Sequence, residues 1–155
     1  MRKRLAVLLM LLLIGAGLAP SPIADAGPGG KPEVYNHVTA AGAALDRLVH
    51  QTYDSKWQVI DISDRDGTYT PPRLQVGPPP RPVLDAKGAA IQGKVMAFFI
   101  IAQDGHVQDP VIVQASDPRL GPAVFTTVVG WVFEPARFNG RIVAVTGGEE
   151  FDFAP

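Results

Sequence analysis

The sequence predicts an α+β fold, with a small antiparallel three-stranded sheet packed by two helices and preceded by an N-terminal extension. Residues 93–102 are apolar at nearly every position, which is typical of a strand buried on both faces. Asp104 and Gly105 separate this run from the apolar residues 107–115, and Asp-Gly between two such runs favours a hairpin turn. Residues 118–133 carry apolar side chains at helical spacing, which predicts a helix that covers the sheet.

The Asp-Gly turn also predicts which residues face each other across the hairpin. With a two-residue turn, Gln103 lies opposite His106 and Phe99 lies opposite Pro110. Pro110 has no backbone N–H to donate, so it is tolerated mainly on an edge strand. We therefore expect residues 107–115 to form an outer strand and residues 93–102 to form the central one.

The other elements of the domain follow from residues that break regular structure. A short helix is expected within residues 84–91. Pro135 is expected to end the longer helix over residues 118–133. Residues 142–153 are expected to form the last strand, in which Gly147 and Gly148 predict a bulge or bend. This strand would lie on the other side of the central strand, with its outer edge open.

Apolar residues on the sheet-facing side of these elements predict the core of the domain. We expect the core to contain Val95, Phe99, Phe125, Val128, Trp131 and Phe133. A tryptophan late in an apolar helix is more typical of core packing than of ligand binding, and its indole N–H then needs one acceptor.

The chain begins with a segment typical of a secretory signal peptide. Basic residues follow Met1, residues 5–19 carry no charge, and Ala24-Asp25-Ala26 is a small-x-small cleavage pattern. We therefore expect residues 1–26 to be cleaved after export. An uncleaved inner-membrane anchor is the alternative, but a spanning helix needs about 20 apolar residues and the uncharged run is shorter.

The rest of the chain divides into three parts. Residues 27–69 are expected to form an N-terminal extension with a helix and a strand, and residues 70–82 a Pro-rich lead-in of extended geometry. Residues 83–155 are expected to form the domain itself.

Composition excludes several classes of function. The chain has no cysteine, so disulfides, Cys-based metal sites and a lipid anchor on cysteine are all excluded. Its 14 Lys and Arg residues against 15 Asp and Glu residues give a formal net charge of −1, so no basic face favours nucleic acid as a partner.

No group of residues predicts catalysis. The three histidines share no spacing typical of metal ligands or of a triad, and the chain has neither a Gly-x-Ser-x-Gly elbow nor a phosphate loop. Residues 61–67 suggest a calcium loop, but Ile62 and Arg73 stand where an EF-hand requires acids. We therefore expect a protein that is not an enzyme, with no metal, no cofactor and no small-molecule substrate.

Several short motifs follow one another in a characteristic order. They are Gly93-Lys94-Val95, Asp104-Gly105-His106-Val107, Asp109-Pro110-Val111-Ile112-Val113, Ala115-Ser116, Trp131-Val132-Phe133-Glu134-Pro135-Ala136, Asn139-Gly140 and Phe151-Asp152-Phe153. In this order and spacing, residues 75–155 resemble the carboxy-terminal domain of the TonB family. The resemblance implies a periplasmic, non-enzymatic module whose last strand accepts an extended peptide of an outer-membrane receptor by strand addition.

The chain departs from the family pattern in its first half. Residues 5–19 contain neither the Ser nor the His that the membrane helix of a full energy transducer carries. Residues 63–82 are too short to cross the periplasm, because they reach only about 60 Å at ~3.1 Å per residue. We therefore expect the binding module of the family without its transmitting parts.

The edge of the last strand is the expected partner-binding site. Arg141, Val143 and Val145 are the expected contact residues, and the partner is an outer-membrane receptor peptide or another envelope protein. Two alternatives stay open: a membrane-anchored energy transducer for outer-membrane transport, and a structural envelope protein that forms a homodimer through the same edge. Glu149 and Glu150 favour a further possibility, in which charged residues protect the edge from pairing.

Overall fold

The computed structural model describes residues 30–37, 43–62 and 65–154. The predicted signal peptide, residues 1–26, lies outside the described residues. The elements, in order, are β1 (Glu33–Asn36), α1 (Ala43–Tyr53), β2 (Gln58–Asp61), β3 (Tyr69–Thr70), β4 (Arg73–Val76), β5 (Gly93–Ile101), β6 (Val107–Ala115), α2 (Gly121–Val129), β7 (Val132–Glu134), β8 (Arg137–Phe138), β9 (Arg141–Ile142) and β10 (Val145–Phe153). The fold is mixed α+β, as predicted.

The main sheet has five strands in the order β2-β1-β10-β5-β6, not the three that the sequence predicted. The antiparallel β10-β5-β6 part has the expected arrangement, with β5 in the centre. The N-terminal extension adds β1 and β2, which run parallel to each other and to β10. The extension joins the sheet because Val34 and Asn36 are fully buried on one of its faces.

Two helices cover the two faces of this sheet, one from each part of the chain. Alternate residues of β5 point to opposite faces, as strand geometry requires. Phe98 and Ile100 pack with Val49 and Tyr53 of α1. The other face packs against α2 in a second cluster. Its members include Val95, Ala97, Phe99, Ile101, Leu120, Val124 and Val128.

The prediction of a second helix within residues 84–91 is wrong. Leu84 and Ala90 form an isolated antiparallel bridge around a turn. The carboxylate of Asp85 accepts hydrogen bonds from the backbone N–H groups of Lys87 at 2.8 Å and Ala89 at 2.9 Å. An aspartate that satisfies the backbone in this way competes with a helix. The same bonds, from Ala89 first and then Lys87, hold the pKa of Asp85 below its ordinary value.

The helix α2 is shorter than the one expected over residues 118–133, because the last of those residues belong to a strand of a small sheet. It ends at Val129, and Gly130 donates its N–H to the carbonyl of Thr127 at 3.1 Å. Residues 132–134 form β7, which pairs with β4 of the Pro-rich lead-in. A third sheet has the order β3-β8-β9 and also joins residues before β5 to residues after α2.

The hairpin between β5 and β6 has a three-residue turn, so the predicted pairing of Gln103 with His106 is wrong. Beyond a register shift between Phe98 and Ile100, the pairs Phe98–Val111 and Ala97–Ile112 have the predicted register. Ala102 donates its N–H to the carbonyl of His106 at 2.9 Å, and Gly105 takes a φ of 84°. Hairpins of this length need a residue with positive φ at that position. A Cβ on Gly105 would lie 2.0 Å from the carbonyl oxygen of Phe133, so only glycine fits.

Gly147 and Gly148 do not form the predicted bulge or bend. β10 pairs with β5 in unbroken register from Val145 to Phe153. A Cβ on Gly147 would lie 2.5 Å from the ring of Phe99, so the glycine makes room for an aromatic side chain. The register shifts fall instead between β5 and β6.

Candidate functional site

The outer edge of β10 is covered by another strand only at its beginning. On its inner side, β10 pairs with β5 along all nine of its residues. On its outer side, β1 pairs with it at a single position, where Tyr35 lies opposite Val145. Within residues 30–37, 43–62 and 65–154, no strand pairs with that side further along.

The bond between the two strands shows which backbone groups of β10 face outward. Tyr35 donates its N–H to the carbonyl of Ala144 at 2.9 Å, so the backbone groups of Ala144 face β1. Backbone direction alternates along a strand. The N–H and C=O groups of Gly148, Glu150 and Asp152 therefore point away from β5, and these are the groups that an added strand would bind.

The side chains of this edge differ between the two faces of the sheet. On the α2 face, Phe151 is buried, with its ring centroid 5.5 Å from that of Trp131. On the α1 face, Lys94 lies 2.6 Å from a carboxylate oxygen of Glu150 and 3.9 Å from one of Asp152. These acids, Glu150 first, raise the pKa of Lys94 above its ordinary value. The edge is thus charged on the α1 face, whereas the α2 face is apolar apart from the exposed Glu149.

A small cavity of about 250 Å³ lies beside the edge on the α2 face. It is lined by His37, Pro71, Pro72, Leu74, Phe99, Ile101, Trp131, Phe133, Gly147, Gly148 and Glu149. Trp131 donates its indole N–H to the carbonyl of Pro78 at 3.1 Å, so its polar group is satisfied and its ring faces apolar neighbours. Burial lowers the pKa of His37, against a smaller opposing effect of the Thr146 backbone, and this favours a neutral imidazole in the cavity.

Of the three residues expected to contact a partner, only Val145 pairs with β1, and Arg141 and Val143 precede β10 at the same end of the sheet. Val143 and Val145 have buried side chains, and Val143 donates its N–H to the carbonyl of Ala136 at 3.0 Å. Arg141 is exposed on β9. Together with Tyr35, Arg141 and Val143 line a wide cleft of about 830 Å³ at this end of the sheet.

Comparison with known proteins identifies the family of the carboxy-terminal part. Residues 84–155 match the family model described as Gram-negative bacterial TonB protein C-terminal. That segment is similar to the TonB carboxy-terminal family. The resemblance predicted from the sequence is thereby confirmed.

One solved structure similar to the chain is a solution NMR structure of the Pseudomonas aeruginosa TonB CTD. It has 28% sequence identity and a TM-score of 0.44, and the match covers 54% of this chain and 86% of that one. No curated protein matches the chain.

The TonB carboxy-terminal family implies a role in TonB-dependent envelope transport. The family is one of non-enzymatic transport domains, and the absence of enzymatic activity in this chain stays a prediction. Neither helix in the described part of the chain has the length and hydropathy of a membrane span.

Most of the residues expected in the core of the TonB domain lie there, but Phe125 does not. The buried ones are Val95, Phe99, Val128 and Trp131, and Phe133 is half-buried against them. Phe125 is 44% exposed, because Val124 and Val128 are the α2 residues that face the sheet. It borders an apolar groove between α2 and β6.

One group of residues could hold a metal, and the sequence reasoning missed it. Asp46, His50 and Asp61 are half-buried and have ligand atoms within 4.8 Å of one another. The available signal was the spacing of Asp46 and His50, which are four residues apart and so share one face of α1.

Proposed function

We propose that this TonB carboxy-terminal domain binds an extended peptide segment of an envelope protein by strand addition along the outer edge of β10. A segment of an outer-membrane receptor is the expected partner, and the domain would meet it in the periplasm after cleavage of residues 1–26. The observation that carries the proposal is the row of outward backbone groups at Gly148, Glu150 and Asp152, next to a strand paired on only one side. Main-chain bonds of this kind give affinity without chemistry on the partner.

The position of β1 supports a defined starting point for the added strand. Because β1 meets β10 only at Val145, the partner strand would begin beyond that residue and run toward Phe153. In this arrangement Val143 and Val145 support the edge from inside the core. Arg141 is exposed near the same end and would contact residues of the partner that flank the added strand.

The side chains on the two faces of the edge favour different side chains in a bound partner strand. Alternate side chains of an added strand would lie over the α2 face, where the cavity beside Trp131 and Leu74 offers space to one apolar side chain. The intervening side chains would lie near Glu150 and Asp152, where a basic or neutral residue is favoured over an acid. The proposed partner segment therefore alternates apolar residues with basic or neutral ones.

The same charges argue against a homodimer formed through this edge. In a self-paired edge, Glu149, Glu150 and Asp152 of one copy would lie close to the same acids of the other. Like charges that face each other across strands are destabilising. A different polypeptide is therefore a better partner than a second copy.

Replacement of Glu150 by proline tests the proposal directly. Glu150→Pro removes one outward N–H while leaving every bond between β10 and β5, because the backbone groups of Glu150 face away from β5. Glu150→Ala is the matched control, since it removes the same carboxylate and its ion pair with Lys94 but keeps the N–H. Binding would be measured by isothermal titration calorimetry with synthetic peptides tiled across periplasm-facing segments of outer-membrane receptors from the same organism.

We expect Glu150→Pro to weaken the binding of a selected peptide by about tenfold or more, since tenfold corresponds to ~1.4 kcal/mol. Glu150→Ala should stay within about twofold of the wild type. Equal affinity of Glu150→Pro and wild type would refute strand addition at this edge. If the free protein sediments as a tight dimer and Glu150→Pro sediments as a monomer, the strand added at this edge belongs to a second copy of the chain and not to a receptor.

A further inference from the structure

A second site lies on the other face of the sheet, where α1 of the N-terminal extension meets β2. Asp46 and His50 occupy successive turns of α1, and Asp61 ends β2. Their ligand atoms, two carboxylate oxygens and one imidazole nitrogen, all lie within 4.8 Å of one another. These residues precede the segment that matches the TonB family, so the role of that segment does not explain them.

The histidine of this group has one ring nitrogen turned toward the other ligands. Nδ1 of His50 lies 3.0 and 3.2 Å from the two carboxylate oxygens of Asp54. In the neutral tautomer with the proton on Nδ1, Asp54 accepts that proton and the lone pair is on Nε2. Histidines that bind metals are commonly oriented by a carboxylate in this way.

The distance between His50 and Asp61 fits two ligands of one ion better than a hydrogen bond. Nε2 of His50 lies 3.4 Å from each carboxylate oxygen of Asp61. Hydrogen bonds from N–H to oxygen are typically about 2.7–3.2 Å long. Two ligands of a tetrahedral ion with bonds of ~2.0–2.2 Å lie about 3.3–3.6 Å apart.

A buried asparagine holds the two carboxylates together. Nδ2 of Asn36 donates to Asp46 at 2.7 Å and to Asp61 at 2.8 Å. Its side-chain oxygen accepts a bond from the hydroxyl of Thr146 at 2.9 Å, so the amide is fixed by the main sheet. In each carboxylate, Asn36 donates to one oxygen, Oδ1. Two half-buried carboxylates that converge on one point are a cost to the fold unless a cation, either a metal ion or the protonated His50, lies beside them.

We propose that Asp46, His50 and Asp61 bind one divalent transition-metal ion of the Zn²⁺ type, with water completing the coordination. An imidazole with two carboxylates suits Zn²⁺ and similar ions, whereas Ca²⁺ and Mg²⁺ prefer six or more oxygen ligands. The ion would join α1 to β2. It would thereby stabilise the extension on the sheet next to the partner-binding edge.

Titration of the tag-free, full-length protein with Zn²⁺ tests this site. We expect one ion per chain by calorimetry, and an affinity for Ca²⁺ at least about a hundredfold weaker. His50→Ala and Asp61→Asn should each lose most of the Zn²⁺ affinity, and Asp54→Asn should lose about tenfold because it only orients the imidazole. His106→Ala is the matched control, since this histidine lies in the β5–β6 turn and should leave binding unchanged.

The wild-type protein provides a readout that does not depend on the folding of variants. Addition of Zn²⁺ should shift the NMR signals of α1 and of the end of β2, while those of α2 stay in place. No saturable Zn²⁺ binding by the wild type would overturn the proposal. Zn²⁺ binding that survives in Asp61→Asn, or that disappears in His106→Ala, would place the ion elsewhere and would overturn it as well.

Discussion

Tyr35 donates its backbone N–H to the carbonyl oxygen of Ala144 at 2.9 Å, and this bond joins the N-terminal extension to the TonB domain. The extension is therefore part of the main sheet and not a tether in front of it. The same contact covers the first position of the outer edge of β10, so it also limits where a partner strand can begin.

Replacement of Tyr35 by proline should weaken the attachment of the extension. Tyr35→Pro removes the donor to Ala144 and leaves that carbonyl without its bond. We expect the free energy of unfolding to fall by about 2–3 kcal/mol. Urea denaturation followed by tryptophan fluorescence would measure the change. Tyr35→Phe keeps both the N–H and the ring that packs 5.3 Å from Phe138, so it should cost about 0.5 kcal/mol or less.

Gly147 should not tolerate even a methyl group. A Cβ there would lie 2.5 Å from the ring of Phe99, so we expect Gly147→Ala to destabilise the protein by about 1–3 kcal/mol. Gly130→Ala is the matched control, because its Cβ would meet nothing nearer than the carbonyl of Thr127 at 3.6 Å. The melting temperatures of the two variants, measured by thermal unfolding, would test this expectation. Similar melting temperatures for the two would mean that Phe99 moves aside without cost.

Much of the TonB domain could be predicted because its signals are local. Residues 93–102 are apolar on both faces, and the Asp-Gly pair that follows them places β5 and β6 side by side. The exact turn could not be predicted, since Asp-Gly is compatible with turns of two and of three residues. The length was decided by a distant contact, the approach of Phe133 to Gly105.

The contribution of the extension could not be predicted, because it depends on pairing between distant parts of the chain. β1 has only four residues, with polar and apolar types mixed, and its partners are Gln58–Asp61 and Val145. The group at Asp46, His50 and Asp61 exists only once α1 packs beside β2. The exposure of Phe125 depends on the rotation of α2 about its axis. The apolar residues of α2 include neighbours such as Val124 and Phe125, so their spacing alone does not decide which of the two faces the sheet.

The buried pair of Asn36 and Thr146 should be coupled in stability. The hydroxyl of Thr146 donates to Asn36 at 2.9 Å, and both side chains are fully buried. A double-mutant cycle with Asn36→Ala and Thr146→Val should give a coupling energy of about 0.5–3 kcal/mol. Asn36→Ala combined with Gly130→Ala, on the opposite face of the sheet, should be additive. Additivity in both cycles would contradict the role assigned to the bond.

Asp109 should make stability depend on pH in the acid range. Trp57 donates its indole N–H to this carboxylate at 2.9 Å and Lys56 lies 3.2 Å away. The bond from Trp57 is the main cause that holds the pKa of Asp109 below its ordinary value, against an opposing effect of burial. A folded-state pKa below the unfolded one gives stability that is present above the unfolded value of about 3.9 and is lost as pH falls.

The variant Asp109→Asn tests this directly, since Asn tolerates the φ of 44° at this position. We expect it to be less stable than the wild type at pH 7, with the difference shrinking as the pH is lowered from 5 to 2. Urea denaturation across that range would show it. The exposed Asp66→Asn serves as the control and should keep a small, constant difference. A gap between wild type and Asp109→Asn that does not change with pH would contradict the assignment.

Amide hydrogen exchange of the wild-type protein, followed by NMR with and without a bound receptor peptide, tests strand addition most directly. On binding, the outward amides of Gly148, Glu150 and Asp152 should become protected. Those of Glu149 and Phe151 face β5, so they should be protected already and change little. Protection that instead appears only along α2 and β6, around Phe125, would contradict binding at the edge of β10.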